Sequence, residues 1–247
     1  MSEILAPCGA QESLSAAVNA GADAVYLGEE YFSARKNADN FTAEQLCEAV
    51  RFCHYSGVKV YVTLNTLVFD REIPMLAKAI ENCAKADVDG FIVQDMGVAR
   101  LARQIVPELP LHASTQMTVN SPEGAVMAKK LGFTRVVLGR ELSFEQIKAI
   151  IDSCDIETEL FVHGALCVCV SGQCYMSSVL GGRSGNRGLC AQPCRLDFTS
   201  GDRHNVLSLK DLSLVEKLPE LEKLGVTSFK IEGRMKRPEY VAGAVNA

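Results

Sequence analysis

The sequence has no long apolar run, no excess of positive charge and no signature of a common hydrolase. No apolar stretch approaches the roughly 20 residues that span a membrane, so no membrane partner is expected. The net charge of −5 argues against a generally basic surface for nucleic acid, although it allows a local basic patch. Tryptophan is absent. The motifs H-E-x-x-H and G-x-S-x-G are also absent, so the sequence shows no obvious hydrolytic nucleophile.

Cysteine, by contrast, is abundant and unevenly placed. Five of the ten cysteines fall between Cys167 and Cys194. Thiolates are preferred ligands of zinc and of iron–sulfur clusters, so this concentration predicts a soft metal site, with an iron–sulfur cluster favoured over zinc. The spacing is C-x6-C-x15-C-x3-C, with one spare cysteine; the four ligand candidates are Cys167, Cys174, Cys190 and Cys194. Unligated thiols and disulfides are the competing explanations. The start Met1-Ser2-Glu3-Ile4 has neither a basic nor a long apolar leader, which predicts a reducing cytoplasm and disfavours disulfides.

Short apolar runs alternate with amphipathic helical stretches along the whole chain, which predicts α/β architecture. The predicted strands are Ile4–Pro7, Ala24–Gly28, Lys59–Leu64, Gly90–Gln94, Leu109–Ser114, Arg135–Gly139, Thr158–His163 and Ser228–Glu232. Eight βα units in one chain fit a (β/α)8, TIM-barrel-like domain over residues 1–247 better than a doubly wound sheet. A long insertion rich in cysteine, glycine and arginine, at residues 165–204, separates strands seven and eight. The last helix, near Pro238, is short, so we expect a longer protein to be truncated here.

Polar residues follow several of the predicted strands, at the end of a barrel where active sites form. Lys230 and Glu232 alternate onto one face of strand eight, as either an internal salt bridge or a charged floor for a substrate. His112 and Gln116, at the end of strand five, complete the set of catalytic candidates. The loop after strand two adds three more polar residues, Arg35, Lys36 and Asn37.

Arginines interleaved with glycines in the insertion predict an anion site, since arginine offers a planar fork for carboxylate or phosphate. Arg183 and Arg187 lie in this segment, and Arg234 follows strand eight. The ligand would be a small dicarboxylate or a nucleic-acid phosphate. A flexible loop with solvated arginines is the alternative.

Several blocks of the sequence resemble peptidase family U32, the collagenase-like peptidases. They include Leu5-Ala6-Pro7-Cys8-Gly9, His112-Ala113-Ser114-Thr115-Gln116, Gly172-Gln173-Cys174-Tyr175-Met176 and Lys230-Ile231-Glu232-Gly233-Arg234. The resemblance runs through the whole chain, and the block around Cys167 and Cys174 is specific to the family.

The resemblance implies one of two activities. The first is oxygen-independent hydroxylation of an RNA base, in tRNA or 23S rRNA, with a 4Fe–4S cluster and with prephenate as hydroxyl donor; another branch of the family acts instead on a ubiquinone precursor. The alternative is proteolysis of a peptide substrate by a collagenase-like peptidase, with or without a metal ion. Three cluster positions carry over to Cys167, Cys174 and Cys190. Some relatives have their fourth cysteine where this chain has Ser213; Cys194 is the natural replacement, with Cys169 and His163 as alternatives.

Overall fold

The structure is a computed structural model that describes residues 1–35 and 38–247. Lys36 and Asn37, which the sequence interpretation places among the polar loop residues, lie outside the described residues. The strands are β1 (Glu3–Pro7), β2 (Ala24–Leu27), β3 (Lys59–Leu64), β4 (Gly90–Val93), β5 (Leu111–Ala113), β6 (Arg135–Val137), β7 (Glu157–Gly164), β8 (Leu212–Ser213) and β9 (Ser228–Ile231). The helices are α1 (Gln11–Asn19), α2 (Ala43–Tyr55), α3 (Ile73–Lys85), α4 (Met96–Ile105), α5 (Pro122–Lys130), α6 (Phe144–Ser153), α7 (Met176–Gly181), α8 (Leu218–Leu224) and α9 (Pro238–Asn246).

Eight of these strands close into a parallel barrel. Strands β1 to β7 pair in sequence order, and β9 joins β7 to β1. The predicted TIM-barrel-like fold is therefore confirmed, and each predicted barrel strand matches an observed one to within about two residues.

Apolar residues fill two separate spaces, which explains why the strands read as continuous rather than alternating apolar runs. The larger core lies between the strands and the surrounding helices. A smaller one lies inside the barrel, where it comprises Leu5, Ala24, Tyr26, Tyr61 and Ile92. Charged side chains share the barrel interior with this small core.

Hydroxyl-bearing capping residues begin three helices. The side chains of Thr42, Ser121 and Ser143 accept hydrogen bonds from backbone N–H groups in the first turns of α2, α5 and α6. Each such cap stabilises its helix by about 1 kcal/mol. These caps fix where the helices begin, and so set the length of the loops at the active end of the barrel.

The predicted insertion is more ordered than a loop. It contains α7 and two 3-10 turns, Gly185–Arg187 and Pro193–Arg195. Beyond it, β8 pairs antiparallel with the end of β7, with Ser213 opposite His163. This pairing was not predicted because a two-residue strand carries no periodic pattern.

Within residues 1–35 and 38–247, the structure has no helix with both the length and the apolar character needed to cross a membrane.

Candidate active site

A cavity of about 490 Å³ opens at the carboxyl ends of the barrel strands. Its floor comes from barrel residues and its rim from the insertion after β7. In a parallel barrel this is the end at which loops from different strands converge and catalytic sites form. The insertion therefore lies over the barrel mouth.

The four cysteines predicted to bind metal all line this cavity: Cys167, Cys174, Cys190 and Cys194. Burial is the main cause that raises the pKa of the Cys194 thiol, and the other three thiols raise it further, while Arg195 lowers it. Burial and the neighbouring Cys174 thiol raise the pKa of Cys169, and His163 lies against the ring of Tyr240 at a centroid distance of 5.6 Å. Among the described residues, no three histidine, cysteine or acidic side chains are gathered closely enough to hold a metal ion.

Two glycines allow the insertion to approach the barrel at backbone distance. A Cβ on Gly188 would lie 2.5 Å from the Ser33 carbonyl oxygen, and one on Gly172 would lie 2.4 Å from that of Gln116. Both have positive φ, +75° and +78°, which side chains other than glycine rarely adopt. These contacts position the cysteine-bearing segment over the cavity.

Two polar clamps hold the same segment. Glu141 accepts hydrogen bonds from the Ser171 backbone N–H at 3.1 Å and from its hydroxyl at 3.0 Å. Arg187 donates to both carboxylate oxygens of Glu72, at 2.6 and 3.0 Å, and to the Leu67 carbonyl oxygen. Arg187 was predicted to bind an anion, but its guanidinium is engaged by Glu72 and does not line the cavity. Its place in the structure is that of a clamp between the insertion and the loop after β3.

A stack of charged side chains fills the barrel below the cavity. Arg135, at the start of β6, donates to Glu3 at 2.6 Å, to Glu157 at 2.8 Å and to Glu159 at 3.3 Å. Closer to the cavity, Lys230 donates to the other carboxylate oxygen of Glu159 at 2.7 Å. Glu159 is fully buried, so these two cations compensate its charge.

Lys230 and Glu232 do share a face of the last strand, as predicted, but they do not pair with each other. Glu232 accepts a hydrogen bond from Arg35 at 2.8 Å, while Lys230 is paired with Glu159. Burial alone would raise the pKa of Glu232, but Arg35, Arg140 and Arg234 hold that pKa below its ordinary value. An internal salt bridge between the two, one of the two alternatives for this pair, is replaced by two bridges to residues far away in sequence.

Arg234 is buried at the cavity and has hydroxyl partners rather than a carboxylate. Its Nη1 donates to the Ser33 hydroxyl at 2.6 Å and to the Thr63 hydroxyl at 2.8 Å. Burial lowers the pKa of Arg234 to about 10. The guanidinium still carries its charge at neutral pH, and so can attract an anion into the cavity.

Gln116 and His112 lie at different depths in the barrel, and only Gln116 reaches the cavity. Gln116 lines the cavity, and its Oε1 is buried and accepts no hydrogen bond from the described residues, so it is an unpartnered acceptor. His112, predicted to shape the pocket, does not line it; it packs edge-on against Tyr61, with ring centroids 4.6 Å apart. Burial, together with the positive charges of Arg135 and Lys230, holds the pKa of His112 well below its ordinary value. His112 is therefore neutral, one level below the cavity.

Further arginines surround the cavity mouth. Arg183 lines it as predicted, and Arg195 and Arg140 also do so. Arg140 was missed by sequence reasoning; it lies 4.7 Å from the Phe161 ring and donates to the Ala165 carbonyl oxygen at 2.8 Å. Its position directly after β6 is the signal that could have identified it. The cavity lining has six cationic side chains and one carboxylate, Glu232, among the described residues.

The sequence model of peptidase family U32 matches residues 9–247. The chain belongs to peptidase family U32. The 23S rRNA 5-hydroxycytidine C2501 synthase of Escherichia coli (strain K12) is 43% identical, over 97% of this chain and 37% of that protein. The tRNA hydroxylation protein P1 of Bacillus subtilis (strain 168) is 39% identical, over 99% of this chain and 61% of that protein. A protein named collagenase, from Porphyromonas gingivalis (strain ATCC BAA-308 / W83), is 37% identical, over 97% of this chain and 62% of that protein.

The chain thus spans between 37% and 62% of the length of these three relatives. Among solved structures, the U32 peptidase Mk0906 superposes with a TM-score of 0.67 at 16% identity, covering 96% of this chain and 95% of that one. This likeness supports the barrel fold of the U32 family.

Proposed function

We propose that this chain is the core of a protein that hydroxylates an RNA base. The observation that carries the proposal is the cavity at the barrel mouth, which brings four cysteines together with an excess of cationic side chains. Relatives with 43% and 39% identity are named for hydroxylation of rRNA and of tRNA. Because these names belong to longer proteins, the RNA and the modified base remain part of the proposal.

The cysteines would hold a 4Fe–4S cluster, which supplies one-electron redox chemistry to such a site. The donor set fits the group in type and number, since the thiols of Cys167, Cys174, Cys190 and Cys194 line one cavity. Because no three of the described ligand-type side chains are yet gathered, binding would require these thiols to converge. A structural zinc ion would use the same thiolates and is the alternative.

The arginines would bind the anionic reactants. Arg234 lies at the barrel end of the cavity, where a small dicarboxylate such as prephenate, the hydroxyl donor that we propose, would replace water on its guanidinium. Arg183 and Arg195 belong to the insertion and would contact RNA phosphates at the rim. The neighbouring Gln116 would accept a hydrogen bond from the reactant or the base.

Nucleoside mass spectrometry of a strain that lacks the gene tests this proposal. We expect one hydroxylated nucleoside to disappear and to return with the wild-type gene, but not with Cys190→Ser. Cys154→Ser is the matched control because Cys154 lies after α6, away from the cavity lining. If every hydroxylated nucleoside persists in the deletion strain, RNA hydroxylation is refuted.

Metal analysis of anaerobically purified protein tests the cluster separately. We expect about four irons and four sulfides per chain, with both lost in Cys190→Ser and kept in Cys154→Ser. Stoichiometric zinc without iron would refute the cluster. Cleavage of gelatin by the purified protein, abolished by Cys190→Ser, would favour the peptidase alternative.

A further inference from the structure

Lys230 is placed as a reactive amine rather than as a surface cation. Its residue is 3% exposed, and its side chain lines the cavity floor. The Nζ atom lies 4.2 Å from the centroid of the Tyr26 ring and 5.5 Å from that of Phe161. Among the described residues one acid contacts it, Glu159 at 2.7 Å. An amine with aromatic walls and a single carboxylate beside it has a base within reach and little competing water.

The surroundings of Lys230 lower its pKa on balance. Burial lowers the pKa of Lys230, Glu159 raises it, and the charges of Arg234 and Arg135 lower it again, so that the pKa lies below its ordinary value. A larger share of the side chain is therefore an unprotonated nucleophile at neutral pH than for an exposed lysine.

A carboxylate site lies beside this amine. The Arg234 guanidinium carbon is 5.6 Å from the centroid of the same Tyr26 ring, so both cations contact one phenol. Within the described part of the chain Arg234 forms no ion pair, and its Nη1 donates only to the Ser33 and Thr63 hydroxyls. A buried guanidinium that forms no ion pair favours an anionic ligand. Arg234 and Lys230 line the same cavity, which suits a small molecule that carries a carboxylate and a second reactive group.

We propose that Lys230 forms a Schiff base with the carbonyl carbon of a small oxo acid whose carboxylate binds Arg234. Glu159 accepts the proton that makes the amine neutral. The nitrogen lone pair then forms the C–N bond, while the carbonyl π electrons move to oxygen. Two proton transfers convert that oxygen into water, which leaves as the C=N bond forms, and nothing is oxidised or reduced. The cationic imine so formed withdraws electrons from the adjacent carbons and activates them.

Trapping with borohydride tests this proposal without RNA, so its outcome is independent of the proposed hydroxylation. The purified protein is incubated with pyruvate and sodium borohydride, which reduces an imine to a stable secondary amine. We expect a mass gain equal to pyruvate less one oxygen atom, located at Lys230 by peptide mapping. Equal labelling of exposed lysines such as Lys217, or no label at Lys230, overturns the proposal.

Two variants separate the amine from the carboxylate site. Lys230→Arg keeps the charge opposite Glu159, so it should fold, and we expect complete loss of the adduct. Arg234→Gln should raise several-fold the pyruvate concentration needed for half-maximal trapping, yet leave trapping of acetaldehyde, which has a carbonyl but no carboxylate, at the wild-type level. If Arg234→Gln changes both probes alike, the carboxylate assignment is wrong.

Discussion

Arg135 holds together the charged stack inside the barrel, and its removal should be costly. Its side chain is 4% exposed and contacts Glu3, Glu157 and Glu159. In Arg135→Met the packing volume is largely kept, but Glu3 loses its cation and Glu159 keeps only Lys230. Removing one partner from a buried ion pair costs about 3–5 kcal/mol because the other charge stays buried. We expect the free energy of unfolding to fall by about that amount at pH 7, and the melting temperature to fall by roughly 6 to 20 °C.

The pH dependence of this loss follows from Glu3. Burial would raise the pKa of Glu3, but Arg135 holds it below its ordinary value, helped by Tyr61 and Ser228. A lowered pKa in the folded state stabilises the fold above the unfolded value, about 4.3, and that contribution is lost as the pH falls through the folded value. Arg135→Met removes the contribution, so the difference in free energy of unfolding between variant and wild type should narrow as the pH falls below about 4.3.

Urea denaturation followed by circular dichroism measures both effects. Lys217→Met is the matched control, since the Lys217–Glu220 pair is exposed and should contribute at most about 1 kcal/mol. Adding Glu3→Gln to Arg135→Met should recover part of the loss, because the unpaired buried charge is then absent. A loss below about 1 kcal/mol for Arg135→Met, or a gap that does not narrow on acidification, would refute the account of the stack.

Two further substitutions probe the insertion and the neutral histidine. In Gly188→Ala the new Cβ meets the Ser33 backbone, so we expect a displaced insertion, faster proteolysis within it and a lower metal content. Gly182→Ala has a similar positive φ, +65°, but nothing within 4 Å of the new Cβ, so it controls for backbone strain and should change these properties less. Equal effects of the two variants would contradict the docking role. The lowered pKa of His112 means that only the unfolded state gains its proton as the pH falls below about 6.5, so stability is lost there at about 1.4 kcal/mol per pH unit. Between pH 6.5 and pH 5, the free energy of unfolding measured with urea should therefore fall by about 2 kcal/mol less in His112→Gln than in the wild type. An unchanged slope against pH would contradict this.

The features that could be predicted from the sequence alone are those that depend on residues close together in the chain. Strand β3 was predicted at Lys59–Leu64, where it is found, because its apolar run and the turns that flank it are local signals. Eight such units predicted the barrel, and the strand-end rule placed Gln116 and Lys230 at the cavity. The cysteine spacing likewise named four residues that line one cavity.

Only the tertiary structure decided which charges meet. Lys230 pairs with Glu159 rather than with Glu232, and Glu232 pairs with Arg35, because neighbouring barrel strands and loops bring together residues that are distant in the chain. The same holds for Arg187, whose partner Glu72 belongs to another βα unit. Alternation along one strand fixes the face on which a side chain lies. The partner on that face is set by barrel closure, which no short stretch of sequence contains.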